Sequence, residues 1–285
     1  IFCLRFTAAA LVLLALWPWL ARGGGPAVRD EPAGSGGPRV SGEPAAAPAG
    51  SLRAALGEAG ARRRGVVLGL LLALGYTTQT VGLGTTTAGN SAFVTSLSVV
   101  LTPLVAAVRW RRLPERRLAP ALLLAVAGLA LLTRPDLGRL AAGDLWTLGC
   151  ALAYAVYLVE LSAALAVSPY LPLLYHQVIT VAVATGAWAA LLERRAPRWT
   201  GEVALSLALT TLLSTVLALY LQNRYQGRTT ATRAALIFAT EPVFATLFAA
   251  LLLGELVPAG WAAGAGLILA AVLTVELAGR RAGPA

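Results

Sequence analysis

Long apolar runs separated by short polar segments are the feature that most limits how this chain can fold. Nine runs are long enough, or nearly so, to cross a hydrocarbon core: 4–20, 65–83, 91–108, 118–133, 145–166, 171–192, 203–222, 234–253 and 259–278. That core is about 30 Å thick. The runs lack the alternation of membrane β-strands, and helices are the other way to satisfy a backbone in lipid. The sequence therefore predicts an all-α polytopic membrane protein with nine transmembrane helices.

Composition excludes a soluble domain and argues against several classes of function. Only 13% of the 285 residues are charged, against about 25% in soluble domains. The net charge of +10 comes from Arg in short clusters between apolar runs, a pattern typical of membrane flanks rather than of a nucleic-acid surface. Two Cys, one His and no Lys provide no metal cluster or P-loop, so we predict no enzymatic activity, no cofactor and no metal.

One pattern of residues occurs twice along the chain. The first copy contains Gln79, Thr87-Ala88 and Ala92, and the same residue types recur 143 residues later as Gln222, Thr230-Ala231 and Ala235. A Pro follows each set, at 103 and 242. The second to fourth runs then match the seventh to ninth. A balanced repeat of five plus five helices needs one more helix before Ile1, so we expect a first helix upstream of the sequence.

The repeat divides the chain into two predicted domains. The first covers 1–134 and the second 143–279. Residues 21–64, rich in Gly, Pro, Ala and Arg, are predicted to form a disordered insertion in the first domain, with a weak helix near 51–64.

The distribution of Arg assigns the loops to two sides of the membrane. One side holds 21–64, 109–117, 167–170, 223–233 and 279–285, with seventeen of the 23 Arg, and the other holds six. Without the long segment 21–64 the contrast is ten against six. By the positive-inside rule the Arg-rich side is cytoplasmic, so the C-terminus is inside. The two copies then run in opposite directions, which is typical of secondary transporters.

Four stretches resemble a known family. They are LRFTAAALVLLAL at 4–16, TTTAGNSAFVTSLSVVLTPL at 85–104, GDLWTLGCALAYAVY at 143–157 and RAALIFATEPVFATLFAALLLGEL at 233–256. In order and spacing they resemble the EamA-type family of the drug/metabolite transporter superfamily. That resemblance implies ten helices in two inverted five-helix repeats, of which this chain lacks the first. The first copy departs from the second in having Trp110-Arg111 where the second has Gly254-Glu255.

The strongest site candidates lie where each Pro interrupts an apolar run. Glu241 stands near the middle of its run, where a carboxylate is costly unless it faces protein or water. Pro242 follows it and lacks the N–H that would continue the helix. Such broken helices line the sites of many transporters. In the first copy Pro103 is expected to act in the same way, and Asn90 and Thr95 add polarity without charge.

Other polar residues in the apolar runs have a structural interpretation beside the functional one. His176 is a candidate proton relay or a packing residue. The matched Gln79 and Gln222 are candidates for substrate contact or for hydrogen bonds between helices. Tyr154 and Tyr157 share a helix face and can line a pocket or pack in the core. The Gly65-x-x-x-Gly69 and Gly260-x-x-x-Gly264 motifs predict close helix packing.

These observations predict an inner-membrane secondary transporter that moves a small organic solute, such as an amino acid, metabolite or drug, by alternating access. The family resemblance implies export, and proton coupling through Glu241 is a further hypothesis. The expected partners are the substrate and the lipid bilayer, and the family likeness allows a homodimer through the last helix. The alternatives are a nucleotide-sugar or lipid-linked carrier of the same superfamily and a membrane enzyme or scaffold that transports nothing.

Overall fold

The computed structural model describes residues 2–22, 58–112, 118–135, 141–192, 199–254, 256–257 and 259–281. Its helices are α1 Phe2–Arg22, α2 Ala59–Leu83, α3 Ala88–Ser96, α4 Ser98–Trp110, α5 Leu118–Thr133, α6 Ala142–Leu165, α7 Tyr170–Leu192, α8 Gly201–Leu209, a π-helical segment Thr210–Leu217, α9 Ala218–Tyr225, a short 3₁₀ turn Gln226–Arg228, α10 Ala231–Phe238, α11 Glu241–Leu253 and α12 Trp261–Arg281.

These helices confirm the predicted all-α membrane fold. Within the described residues, seven helical stretches are long and apolar enough to cross a membrane, and the apolar helices Leu118–Thr133 and Trp261–Val275 are shorter. Each of the nine predicted runs corresponds to one of these stretches. The predicted insertion 21–64 lies mostly outside the described residues. Its last part is helical, because α2 begins at Ala59 and contains Arg62, Arg63 and Arg64 in its first two turns.

The described residues divide into two compact units. The first unit contains α1, α7, the stretch from α8 to the 3₁₀ turn, the first part of α2 up to Leu74 and the end of α6 from Glu160. In it α1 packs along α7 and against the π-helical segment. The hydroxyl of Tyr175 donates to the carbonyl of Leu13, and the ring of Trp17 meets that of Tyr175 edge-on at 4.9 Å.

Gly65 and Gly69 let α2 approach α7 closely within the first unit, as their spacing predicts. A Cβ at Gly65 would lie 2.5 Å from the Cβ of His176, and one at Gly69 would lie 2.5 Å from the Cβ of Thr180. Any larger residue would have to push the two helices apart.

The second unit contains the rest of α2, α3 to α5, α6 up to Val159, and α10 to α12. Its most extensive helix pair is α5 with α12. A Cβ at Gly128 would lie 2.6 Å from the carbonyl oxygen of Gly264, and one at Gly264 would lie 2.7 Å from that of Gly128. The prediction that Gly260 packs in the same way is wrong. Gly260 precedes α12 with φ +90, and the nearest side-chain atom to its would-be Cβ is 3.8 Å away.

Candidate functional site

Two membrane spans in the second unit are each built from two consecutive helices. The first consists of α3 and α4, which meet at Leu97, and the second consists of α10 and α11, which meet at Ala239-Thr240. Both begin alike, because Thr87 accepts a hydrogen bond from the backbone N–H of Asn90 at 3.1 Å and Thr230 accepts one from that of Arg233 at 3.3 Å. Each Thr is extended and caps its helix N-terminus.

The second break places a carboxylate at the start of a new helix deep in the span. Glu241 is the first residue of α11 and Pro242 the second, where the missing N–H of Pro costs no helical bond. Glu241 lies ten residues after Ala231 in the span Ala231–Leu252, or about 15 Å along it. The positive end of the helix dipole favours an anion at this position.

The first break does not lie at Pro103, whose missing N–H leaves the carbonyl of Val99 without its usual partner inside α4. Pro103 lies buried inside α4, and the break at Leu97 precedes it by six residues. The residue at the matching position of Glu241 is instead Ser98, the first residue of α4. Next to the break, a groove of about 360 Å³ is lined only by aliphatic side chains, including those of Leu97, Val100, Val126 and Leu148. Such a groove suits a hydrocarbon chain rather than a polar solute.

A polar cluster lies beside these breaks, on α2, α3 and α6. The amide of Gln79 donates to the hydroxyl of Thr95 at 3.4 Å. The fully buried thiol of Cys150 lies next to Thr78, Thr95 and Tyr154. We call these five side chains the polar cluster. Thr78 and Cys150 are buried and the other three are half-buried. Polar side chains within a span commonly form hydrogen bonds between helices or line a site.

Close packing holds the polar cluster together, and Glu241 lies in the same part of the second unit. A Cβ at Gly75 would lie 2.6 Å from the ring of Tyr154, so only Gly admits that ring against α2. The ring of Tyr76 meets it edge-on at 5.9 Å. The carboxylate of Glu241 is close enough to Tyr154 for the two groups to interact electrostatically. Four predicted site residues, namely Gln79, Thr95, Tyr154 and Glu241, thus belong to one neighbourhood.

Comparison with known proteins identifies the family. The model of the EamA-like transporter family matches residues 141–277. A protein of Archaeoglobus fulgidus described as an uncharacterized transporter is 33% identical over 213 residues, which cover 75% of this chain and 68% of that protein. The chain belongs to the EamA-like transporter family. It is therefore a multi-pass membrane transporter of the drug/metabolite transporter superfamily.

A solved crystal structure supports the same fold for this EamA-like transporter. The two share 18% sequence identity and superpose with a TM-score of 0.74 over 98% of this chain and 87% of the other. At that identity the likeness concerns the fold alone.

Asn90 lies at a second polar contact of the EamA-like transporter, at the start of α3. The carboxylate of Asp144 accepts hydrogen bonds from the hydroxyl of Thr86 and, at 2.8 Å, from the backbone N–H of Ala141. Asn90 is within hydrogen-bonding range of the same carboxylate. A Cβ at Gly143 would lie 2.3 Å from the carbonyl oxygen of Gly82. This contact ties the end of α2 to the start of α6.

The remaining candidates of this EamA-like transporter lie elsewhere. In the first unit, Nδ1 of His176 is 2.7 Å from the carbonyl oxygen of Pro172 on its own helix. Also in that unit, the amide of Gln222 donates to that of Gln226 at 3.0 Å, and Gln226 donates to the hydroxyl of Ser162 at 3.0 Å. Tyr157 belongs to the second unit and is buried.

Sequence reasoning missed Cys150 and Arg5. Cys150 matches the apolar residues of its run in hydropathy, although it stands one helical turn before Tyr154, where the two side chains share a face. Arg5 was counted with the chain start. In the structure it lies within α1, and its Nε donates to the hydroxyl of Thr215 at 2.6 Å.

Proposed function

We propose that this chain is a secondary transporter that moves a small organic solute, such as an amino acid, metabolite or drug, across the inner membrane by alternating access. One observation carries the proposal. A span broken at mid-depth begins its second helix with Glu241, which lies near the polar cluster. Half-helices that point their positive ends at a solute are a recurrent way to build a transport site.

We propose further that residues 1–134 and 143–279 are two copies of one unit in opposite orientations. The matched Thr caps and the matched break positions, both offset by 143 residues, support this division. The excess of Arg on one side supports a cytoplasmic C-terminus. Cysteine labelling from either side of the membrane, at an engineered Cys near Gly254 and another at the C-terminus, tests the orientation.

Glu241 is proposed to carry the proton if transport is coupled to one. A carboxylate in an apolar span can exchange a proton at modest cost, whereas a Gln cannot. No described residue of the first copy offers an acid at the matching position, which is Ser98. Coupling would then depend on the second copy alone.

A solute screen in proteoliposomes tests the transport proposal. The purified chain is reconstituted and challenged with labelled amino acids, organic acids, amines and nucleotide sugars. We expect uptake of at least one small solute above that of empty vesicles. Uptake of nucleotide sugars alone would favour the alternative, a nucleotide-sugar carrier of the same superfamily. If no compound is taken up, the proposal is overturned.

Glu241→Gln tests the proposed proton step with the solute that the screen identifies. We expect this variant to lose uptake driven by a pH gradient and to retain counterflow exchange. Glu202→Gln is the matched control, because Glu202 is an exposed carboxylate in the first turn of α8. Unchanged gradient-driven uptake by Glu241→Gln would exclude proton coupling at this residue.

A further inference from the structure

A widened turn interrupts the span Gly201–Arg228 in the first unit. Residues Thr210–Leu217 form a π-helix, a conformation that is rare and frequent at functional sites. Its buried residues are Thr211, Thr215 and Val216, and the segment packs against α1. The buried face of this rare turn is therefore turned towards α1.

Arg5 reaches this face from α1. Its Nε donates to the hydroxyl of Thr215 at 2.6 Å, and that hydroxyl donates in turn to the carbonyl of Thr210 at 3.1 Å. Thr215 lies fourteen residues after Gly201 in a helical stretch of 28 residues, or about 21 Å along it. The guanidinium therefore lies near the middle of the span, where an Arg is expensive and usually functional.

Thr211 adds a second hydroxyl on the same face. It stands one turn before Thr215, is 4% exposed, and its Oγ1 has no hydrogen-bond partner among the described residues. A buried hydroxyl without a partner is unfavourable in a finished core, and it calls for a ligand or another explanation. The guanidinium of Arg5 and the hydroxyl of Thr211, which has no partner among the described residues, thus both lie at the π-helical turn.

We propose that Arg5, Thr211 and Thr215 form a subsite that binds the carboxylate of the transported solute. A guanidinium carries five N–H donors in a planar fork that matches a carboxylate, so it can hold Thr215 and the solute together. The hydroxyl of Thr211 supplies a further donor. The inference rests on the proposed transport function and narrows its substrate to carboxylates, such as amino or organic acids.

Binding by the reconstituted full chain tests the subsite. Thermal unfolding in nanodiscs is followed while acetate, benzoate, glutamate and phenylalanine are titrated, each against its uncharged amide. We expect at least one carboxylate to raise the unfolding midpoint and its amide to have no such effect. Equal effects of acid and amide, or no effect of any carboxylate, would overturn the proposal.

Variants separate recognition from structural support of the π-helix. Arg5→Gln removes a charge-assisted pair, so we expect affinity to fall about 10- to 100-fold. Arg5→Lys keeps the positive charge but loses the planar guanidinium. Its affinity should therefore lie between that of Arg5→Gln and that of the unaltered chain. Thr211→Val keeps the shape and should weaken binding about 3- to 10-fold. Arg64→Gln is the matched control, because Arg64 also donates to a hydroxyl, that of Ser168 at 3.1 Å, and it should bind as the unaltered chain does.

If Arg5→Gln fails to fold, Arg5→Lys and Thr211→Val decide the question, and unchanged affinity in both would refute the subsite. Uptake of the same compounds distinguishes this inference from the transport proposal. Transport of amides or amines alone would remove the carboxylate subsite and leave transport standing. Carboxylate binding without uptake of any compound would remove transport and leave an anion site.

Discussion

The two broken spans of the second unit share their architecture and differ in their chemistry. Both begin at a Thr cap, break after eight or nine residues, and end at a residue in the left-handed conformation. The first break is followed by Ser98 and the second by Glu241. The first span ends at Arg111 with φ 51 and the second at Gly254 with φ 68. The backbone plan is thus common to both spans, and the ionisable group belongs to one of them.

This contrast shows that Pro is not required to break such a span. Pro242 stands at the second break, but the first span breaks at Leu97 and continues through Pro103. At both positions the hydroxyl of a Thr or Ser near the break can bond to a carbonyl, as Thr240 does to Ile237 at 2.6 Å and Thr102 does to Ser98 at 2.6 Å. Local hydrogen bonds and packing therefore maintain the shared geometry.

The largest expected difference between the two spans is in transport. We expect Glu241→Gln to slow gradient-driven uptake on the order of 100-fold, because hydrogen bonds to a charged group contribute about 1.5–3 kcal/mol and Gln carries no charge. Ser98→Ala at the matching position should change the rate by about 5-fold at most, because a neutral hydroxyl contributes about 1 kcal/mol. Uptake rates in proteoliposomes measure both. Equal losses would mean that the two breaks contribute alike to transport.

The helices that follow the two spans should be the next most sensitive. Gly264→Ala forces a Cβ to within 2.7 Å of the carbonyl oxygen of Gly128, so overpacking should cost about 1–3 kcal/mol in the free energy of unfolding. Gly266→Ala has open space around it and should be neutral or stabilising by about 0.5–1 kcal/mol. Unfolding midpoints in detergent compare the pair. If both variants behave alike, α5 and α12 are further apart than the structure indicates.

Removing either cap should have a smaller and nearly equal effect. Thr87→Ala and Thr230→Ala each delete one side-chain bond to a helix N-terminus, which costs about 1 kcal/mol. We expect the two losses in unfolding free energy to differ by less than about 0.5 kcal/mol if the caps are equivalent. Ser replacements should restore both. If Thr87→Ala lowers the free energy of unfolding and Thr230→Ala does not, the two caps are equivalent in backbone shape only.

The smallest expected effect concerns the ends of the spans. Arg111→Gly should raise the unfolding free energy by about 0.5–1 kcal/mol, because a side chain is strained at positive φ and Gly is not. Gly254→Ala should lower it by a similar amount. Thermal unfolding of both variants provides the measurement. A destabilised Arg111→Gly would show that the guanidinium has a structural role at this end.

Hydropathy was sufficient to predict the spans, because a lipid-exposed helix must be apolar over a set length. The break at Pro242 followed from a missing N–H. The break at Leu97 did not, because no residue there is a helix breaker. The placement of Gln79, Thr95, Tyr154 and Glu241 near one another required the packing of α2 on α6, which a pattern of apolar residues does not encode.

Arg5 and Cys150 each have a feature in the sequence that points to a function. Arg5 is a charge inside an apolar run, which is by itself a reason to suspect function. Cys150 shares a helix face with Tyr154. His176 and Gln222 are polar residues in apolar runs, and both lie in the first unit with local partners: His176 bonds within its own helix and Gln222 bonds to the 3₁₀ turn that follows α9. Their roles in transport stay predictions.

The π-helical segment has a consequence for how the two copies are matched. An extra residue in one turn rotates all that follows by about 100° about the helix axis. Gln79 and Gln222 agree in sequence, but only Gln222 comes after such a turn. Its amide bonds to Gln226 of the next turn, whereas the amide of Gln79 bonds to Thr95 of α3. The two Gln that match in sequence thus have different kinds of partner: one bonds along its own segment and the other bonds to a neighbouring helix.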